Sequence, residues 1–231
     1  MIILAAGSGI AVWAIALLAV AGAGLGAVTG RSLARVGYRI ESDRAGAPPR
    51  HWWWPAVALA LLWALMGWRI GSYAGWSALP AYLLFAWLAV GLVWIDADVH
   101  RLPDGLVLPA YPALLVLVVV ATAGLGDWPA LVRALACMAG MYALYFVLAF
   151  VSPSSLGFGD VKLSGLIGLL LGWISVGQAV VALLAGFVVG GLIAVAMLVG
   201  QRVGRRSHIA FGPSMLAGAF LALAFEYHVL A

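Results

Sequence analysis

The chain carries eight acidic residues in 231: Glu41, Asp43, Asp96, Asp98, Asp104, Asp127, Asp160 and Glu226. Four of them invite a chemical reading. Asp96, Asp98 and Asp104 share one stretch, WIDADVHRLPDG, and Asp160 lies in LGFGDVKL; both stretches adjoin long apolar runs. A carboxylate at the centre of a membrane helix costs about 2.5 to 3.5 kcal/mol on insertion scales, so an acid at a helix end carries a milder cost that still calls for a role. For Asp104 the role is structural, because Pro103 suits a first helical turn and an acid there complements the helix N-terminus. Asp98 reads the same way, as capping and interfacial hydration. Asp96 and Asp160 stand apart. Asp96 directly follows the apolar residues Gly91 to Ile95, deeper than Asp98 or Asp104, and Asp160 is preceded by Gly157, Phe158 and Gly159. Glycines permit close backbone approach, and an extended peptide laid beside them can pair with free main-chain groups.

Two carboxylates that hydrolyse a peptide divide the work. One is ionised and takes a proton from water; the other is protonated and donates to the carbonyl oxygen. At about 4 Å they repel by roughly 4 kcal/mol at an effective dielectric of 20, which separates their titrations by about three pH units. Such a pair shares one proton near neutrality.

The elements that must position these acids are membrane helices. Hydrophobic residues make up 66% of the chain and charged ones 9%, against roughly half and about 25% in a soluble domain. With about 20 residues per span, the apolar runs suggest eight: Ile2 to Thr29, Trp54 to Ile70, Leu79 to Ile95, Leu106 to Gly124, Pro129 to Val151, Val161 to Ile174, Val176 to Gly200 and Gly212 to Leu230. The expected fold is therefore all-α, a polytopic integral membrane protein of about eight transmembrane helices, with residues 1–231 as one domain. The first run has no basic segment before it and exceeds the 7 to 15 apolar residues of a secretory signal, so it reads as a retained helix. The sixth is short and Gly-rich. Residues 30–51 form the longest polar segment, a short basic loop.

Of the twelve Lys and Arg, ten fall in alternate loops: Arg31, Arg35, Arg39, Arg44, Arg50, Arg101, Lys162, Arg202, Arg205 and Arg206. Cytoplasmic loops retain positive charge, so those loops are expected to be cytoplasmic, with both termini outside. The basic balance then reflects topology and anionic lipid contact, not nucleic acid. Cys137 is the only cysteine, which excludes a disulfide framework and a four-cysteine zinc site. His51, His100, His208 and His228 are too scattered to argue a metal site.

At the acids the sequence strongly resembles the bacterial type IV prepilin peptidases, membrane aspartic proteases of the GxGD type. DADVHRLPD, Asp96 to Asp104, is similar to that family's D, five residues, then LPD; GFGDVKL, Gly157 to Leu163, is similar to its GxGDxKL pattern. GRSLARVGYRI, Gly30 to Ile40, resembles the segment after the family's first helix, and Phe211 to Pro213, FGP, also looks familial. The resemblance implies that Asp96 and Asp160 are the catalytic dyad, with Asp98 and Asp104 outside it. It implies a prepilin or pseudopilin substrate, cut by water after the leader's glycine on the cytoplasmic side of the bacterial inner membrane. Gly157, Phe158 and Gly159 would then shape the substrate-binding strand. Lys162 would help to polarise the site, with a lysine snorkelling at a span start as the plainer reading.

Family members that also methylate the new N-terminus with S-adenosylmethionine carry paired CxxC motifs in a zinc-bound insert of the first cytoplasmic loop. Residues 30–51 contain no cysteine, and Ala34 stands where the family usually has asparagine. The expectation is a peptidase that needs no cofactor, with S-adenosylmethionine required only if methyl transfer is retained. A proton-coupled transporter would also use intramembrane acids, but needs neither LPD nor GFGD. A serine-type membrane protease would have to draw on Ser214 near His208 or on Ser152 to Ser155, and no GxSG elbow is present.

Overall fold

The computed structural model describes residues 12–40, 51–73, 75–151, 156–200 and 211–225, and their regular secondary structure is entirely helical. In chain order the helices are α1 (Val12–Leu33), α2 (Trp54–Tyr73), α3 (Gly75–Val99), α4 (Asp104–Leu125), α5 (Trp128–Val151), α6 (Phe158–Ile174), α7 (Val176–Val199) and α8 (Gly212–Ala224). Six of them, α1 to α5 and α7, are long and apolar enough to cross a membrane. The other two are shorter: α6 has 17 residues, about 26 Å at about 1.5 Å per residue, and α8 has 13. Residues 1–11 of the first apolar run, 41–50 of the basic loop, 201–210 and 226–231 lie outside the described residues.

The helices outrun the apolar runs at the positions that matter. The apolar stretch before Asp96 ends at Ile95, yet α3 continues to Val99, so Asp96 lies inside its last turns. The helix stops at His100, whose φ of 51° is left-handed and whose N–H donates to the Asp96 carbonyl at 2.9 Å. In the same way α4 begins at Asp104 and α6 at Phe158, each placing its acid in the first helical turn.

The chain forms two compact units, residues 1–91 and 92–231. In the first, α1 meets α2 through Gly22, Gly26 and Gly30, a stripe one helical turn apart. A Cβ on Gly22 would lie 2.8 Å from the Leu59 carbonyl oxygen, and one on Gly26 would lie 2.7 Å from Cα of Ala56. Between apolar helices in lipid, attraction comes from packing and hydrogen bonds rather than from leaving water, and small residues let the backbones approach. Two indoles fix the same unit: Trp63 donates to the Leu83 carbonyl at 3.1 Å, and Trp87 to the Thr29 hydroxyl at 2.9 Å.

The second unit is built around α6, which is apolar on every side and buried on every side. Its glycines again set the spacing: a Cβ on Gly168 would lie 2.5 Å from the Cys137 carbonyl oxygen of α5. Tyr111 of α4 donates to the Lys162 carbonyl at 2.6 Å, and Trp173 donates to Thr122 at 2.9 Å. The carbonyls left open at the α6 C-terminus are taken by Arg133 of α5, which donates to those of Gly172 at 2.9 Å, Trp173 at 2.6 Å and Ile174 at 3.0 Å. A cation there satisfies orphan acceptors and complements the negative end of the helix. Gly186 of α7 and Gly218 of α8 meet backbone to backbone, and Ser175 caps α7 by accepting from the Gln178 N–H at 3.0 Å.

Candidate active site

All residues that define the site lie in the second unit. Asp96 comes from the end of α3 and is 4% exposed; Asp160 comes from the first turn of α6 and is 7% exposed. Isolated buried carboxylates are costly, so two of them side by side in an apolar unit mark a site by their expense alone.

Asp160 is held from one side. Gly157 precedes α6 with extended backbone, its N–H donates to Oδ2 of Asp160 at 3.2 Å, and its carbonyl accepts from the Asp160 N–H at 3.0 Å. This reciprocal pair closes the N-terminus of α6 and leaves Oδ1 of Asp160 facing away. That oxygen points toward the start of α8. A Cβ on Gly212 would lie 3.5 Å from Oδ1 of Asp160 and 2.7 Å from Oδ2 of Asp96. The two carboxylates therefore converge on a single point, and their facing oxygens cannot be farther apart than those distances combined. Oδ2 of Asp96 is buried and has no hydrogen-bond partner among the described residues.

A cavity of about 300 Å³ opens beside the pair, lined by Asp96, Asp160, Gly157, Phe158 and Gly159 together with the chain from His100 to Leu102 and Asp104. Leu102 packs this wall against the glycines beside the acids. A Cβ on Gly159 would lie 2.8 Å from Cβ of Leu102, and one on Gly212 would lie 3.4 Å from its Cδ1. The segment between α3 and α4 thus rests on both glycines that flank the acids. Phe158 is 52% exposed at the cavity rim and meets Phe146 edge to face.

The remaining candidates are placed outside the converging pair. Lys162 donates to Oδ1 of Asp104 at 2.6 Å, with the Asp104 side chain largely in the open, and lies 5.3 Å from the Phe158 ring centroid. Asp104 therefore sits in the first turn of α4, as its position after Pro103 suggests, and also binds α6 through Lys162. Asp98 is half-buried on α3. Sequence reasoning did not assign Gly212 or Leu102 to the site. The only signal for either was membership of the short patterns FGP and LPD.

Chemically, the arrangement offers two closely spaced carboxylates, one with an unsatisfied oxygen, beside a cavity whose rim carries glycine backbone. Comparison with known proteins finds similarity over part of this region. Residues 82–195 match the model of the type IV leader peptidase family, and they include both Asp96 and Asp160. A "Prepilin leader peptidase/N-methyltransferase" of Aeromonas hydrophila is 37% identical over 101 residues, covering 43% of this chain and 34% of its own. Proteins with the same name from Stutzerimonas stutzeri and Klebsiella pneumoniae are 34% and 33% identical over 126 and 127 residues, covering 52% and 54% of this chain and 41% and 54% of theirs. The chain thus spans between about a third and about half the length of these relatives. No solved structure matches it. Over residues 82–195, just under half of its length, the chain is thus similar to the type IV leader peptidase family.

Proposed function

We propose that this domain is a membrane-embedded aspartic endopeptidase which removes the leader peptide from type IV prepilin or pseudopilin precursors. Asp96 and Asp160 are its catalytic residues. The observation that carries this reading is the convergence on the Gly212 backbone of two carboxylates that both lie in the region matching the family.

The chemistry follows from the pair holding one proton. A water lodged between them loses a proton to the ionised carboxylate while its oxygen attacks the scissile carbonyl carbon, and the protonated partner donates to the carbonyl oxygen. The tetrahedral diol then collapses: one of its hydroxyls returns a proton to the second carboxylate as the carbonyl re-forms, the C–N bond breaks, and the proton gained by the first carboxylate passes to the leaving amine, which restores the singly protonated pair. No bond to the enzyme forms, and no cofactor enters. Burial of both acids strengthens each of these interactions relative to water.

The substrate, a leader followed by a hydrophobic helix, would reach this site with its helix in the lipid and its leader outside it. Gly157, Phe158 and Gly159 form the rim along which the extended leader lies, cut after a small residue, glycine. Lys162, bound to Asp104 and set beside the Phe158 ring, supports that rim rather than the dyad. The bias of Lys and Arg toward alternate loops supports a site on the cytoplasmic side of a bacterial inner membrane, in a reading with eight crossings and both termini outside. Membrane lipids are its surroundings, and nucleic acid has no part in it. N-methyltransferase belongs to the relatives' names. Here residues 30–51 hold no cysteine for a zinc-bound insert and Ala34 stands where the family usually has asparagine, so peptide cleavage proceeds without S-adenosylmethionine, which is required only if methyl transfer is retained.

Membranes containing the protein, incubated with a prepilin, should yield a product shortened at one position, read by mass spectrometry of its new N-terminus. An untouched prepilin, with proton-driven flux instead, would favour the transporter.

A further inference from the structure

The start of α8 is built to present bare backbone to the acids. Its N-terminal neighbour Phe211 is gripped by two elements: the Phe211 ring lies 5.4 Å from Phe187 of α7 and 6.4 Å from Tyr145 of α5, and Tyr145 stacks on Phe187 at 5.8 Å. Gly190 of α7 admits this ring, since a Cβ there would lie 2.7 Å from its Cε2. Farther along, Gly186 and Gly218 lock α8 against α7 backbone to backbone. The position of Gly212 is therefore held by ring and backbone packing of α8 and its N-terminal neighbour against α5 and α7. At that position a methyl group would meet Oδ2 of Asp96 at 2.7 Å and Oδ1 of Asp160 at 3.5 Å. Since α8 is held, the carboxylates would be the ones to move.

We propose that Gly212 is a positioning residue of the dyad: its missing side chain is the space in which the Asp96 and Asp160 carboxylates come together, and Phe211 is the anchor that keeps that space in register. Nothing in its own backbone conformation requires glycine, since no left-handed φ occurs at this position. The requirement is room. The inference rests on the dyad reading above, and two measurements separate the failure of one from the failure of the other.

The first reads geometry without activity. Asp96→Cys and Asp160→Cys are combined in a chain whose Cys137 is replaced by alanine, and a short bifunctional thiol reagent is applied in membranes. Rapid cross-linking is expected with Gly212 present and a loss of tenfold or more with Gly212→Ala added. Equal rates in both backgrounds overturn the proposal, and absence of cross-linking in both overturns the convergence itself. The second reads kinetics. Gly212→Ala should lower kcat by on the order of 10²-fold, as misplacement by about an ångström does, with KM for prepilin little changed. Gly218→Ala, which disturbs the α7–α8 contact alone, should act mainly on thermal stability in micelles. Wild-type kcat in Gly212→Ala, or a loss of kcat matched by an equal loss in Gly218→Ala at equal stability, overturns the role. No cleavage by the unmodified protein overturns the dyad reading, whatever the cross-linking shows.

Discussion

Gly157 and Asp160 bind each other twice, through the Gly157 N–H on Oδ2 of Asp160 at 3.2 Å and the Asp160 N–H on the Gly157 carbonyl at 3.0 Å. One carboxyl oxygen is thereby spent on closing the helix, and the other is aimed. A longer acid can keep the closure, since glutamate is the usual third residue of a capping box, but its carboxyl is displaced by the extra methylene. Asp160→Glu should therefore insert and fold as before while leader removal falls by about 10²-fold. Unchanged turnover would show that the aim of Oδ1 is not critical.

The dyad needs one proton. At low pH both carboxyls are protonated and no base remains; at high pH both are ionised and no acid remains. The profile of kcat/KM against pH should be bell-shaped, its two limbs belonging to the pair rather than to either residue. A plateau extending through the acid or the alkaline limb would contradict shared-proton catalysis.

Leu102 and Gly159 occupy each other's space. A Cβ on Gly159 would lie 2.8 Å from that of Leu102, closer than packed carbons approach, so Gly159→Ala should push the cavity wall outward and reduce activity at least about tenfold, roughly 1.4 kcal/mol. Leu102→Gly removes the Cβ that would collide and so makes room. The double variant should be less impaired than the two single effects combined, a coupling measured by a double-mutant cycle. Additive losses would mean that the contact does not transmit the effect.

Arg133 acts on stability rather than on chemistry. Its three hydrogen bonds to the carbonyls of Gly172, Trp173 and Ile174 close the end of α6 opposite Asp160. Hydrogen bonds to charged groups contribute about 1.5 to 3 kcal/mol each, with losses not additive. Arg133→Met should lower the unfolding free energy in micelles by about 2 to 4 kcal/mol and leave KM unchanged. A stability equal to that of the parent protein would show that water or lipid headgroups replace the guanidinium.

Much of the architecture was legible because lipid demands long apolar runs. The starts of α2 at Trp54, α7 at Val176 and α8 at Gly212, and the ends of α5 at Val151 and α6 at Ile174, fall where the runs do. Helix ends carrying acids were less legible: hydropathy stops at the first charge, whereas hydrogen bonding continued α3 past Asp96 to Val99. The burial of α6 was also hidden. Its shortness and glycines were visible, but that those glycines meet Cys137 and Tyr111 depends on partners distant in sequence. For the same reason the acids could be singled out by cost and context, while Gly212, an ordinary glycine before a proline, acquires its meaning only once α8 is set against α3 and α6.

The most direct test is leader removal by Asp96→Asn and Asp160→Asn, each compared with the parent protein at equal amounts in the membrane. Asparagine keeps the shape and can neither accept the proton of water nor supply the acid. The account predicts that both variants leave prepilin at full length. Shortened product formed at a parental rate by either one would contradict it.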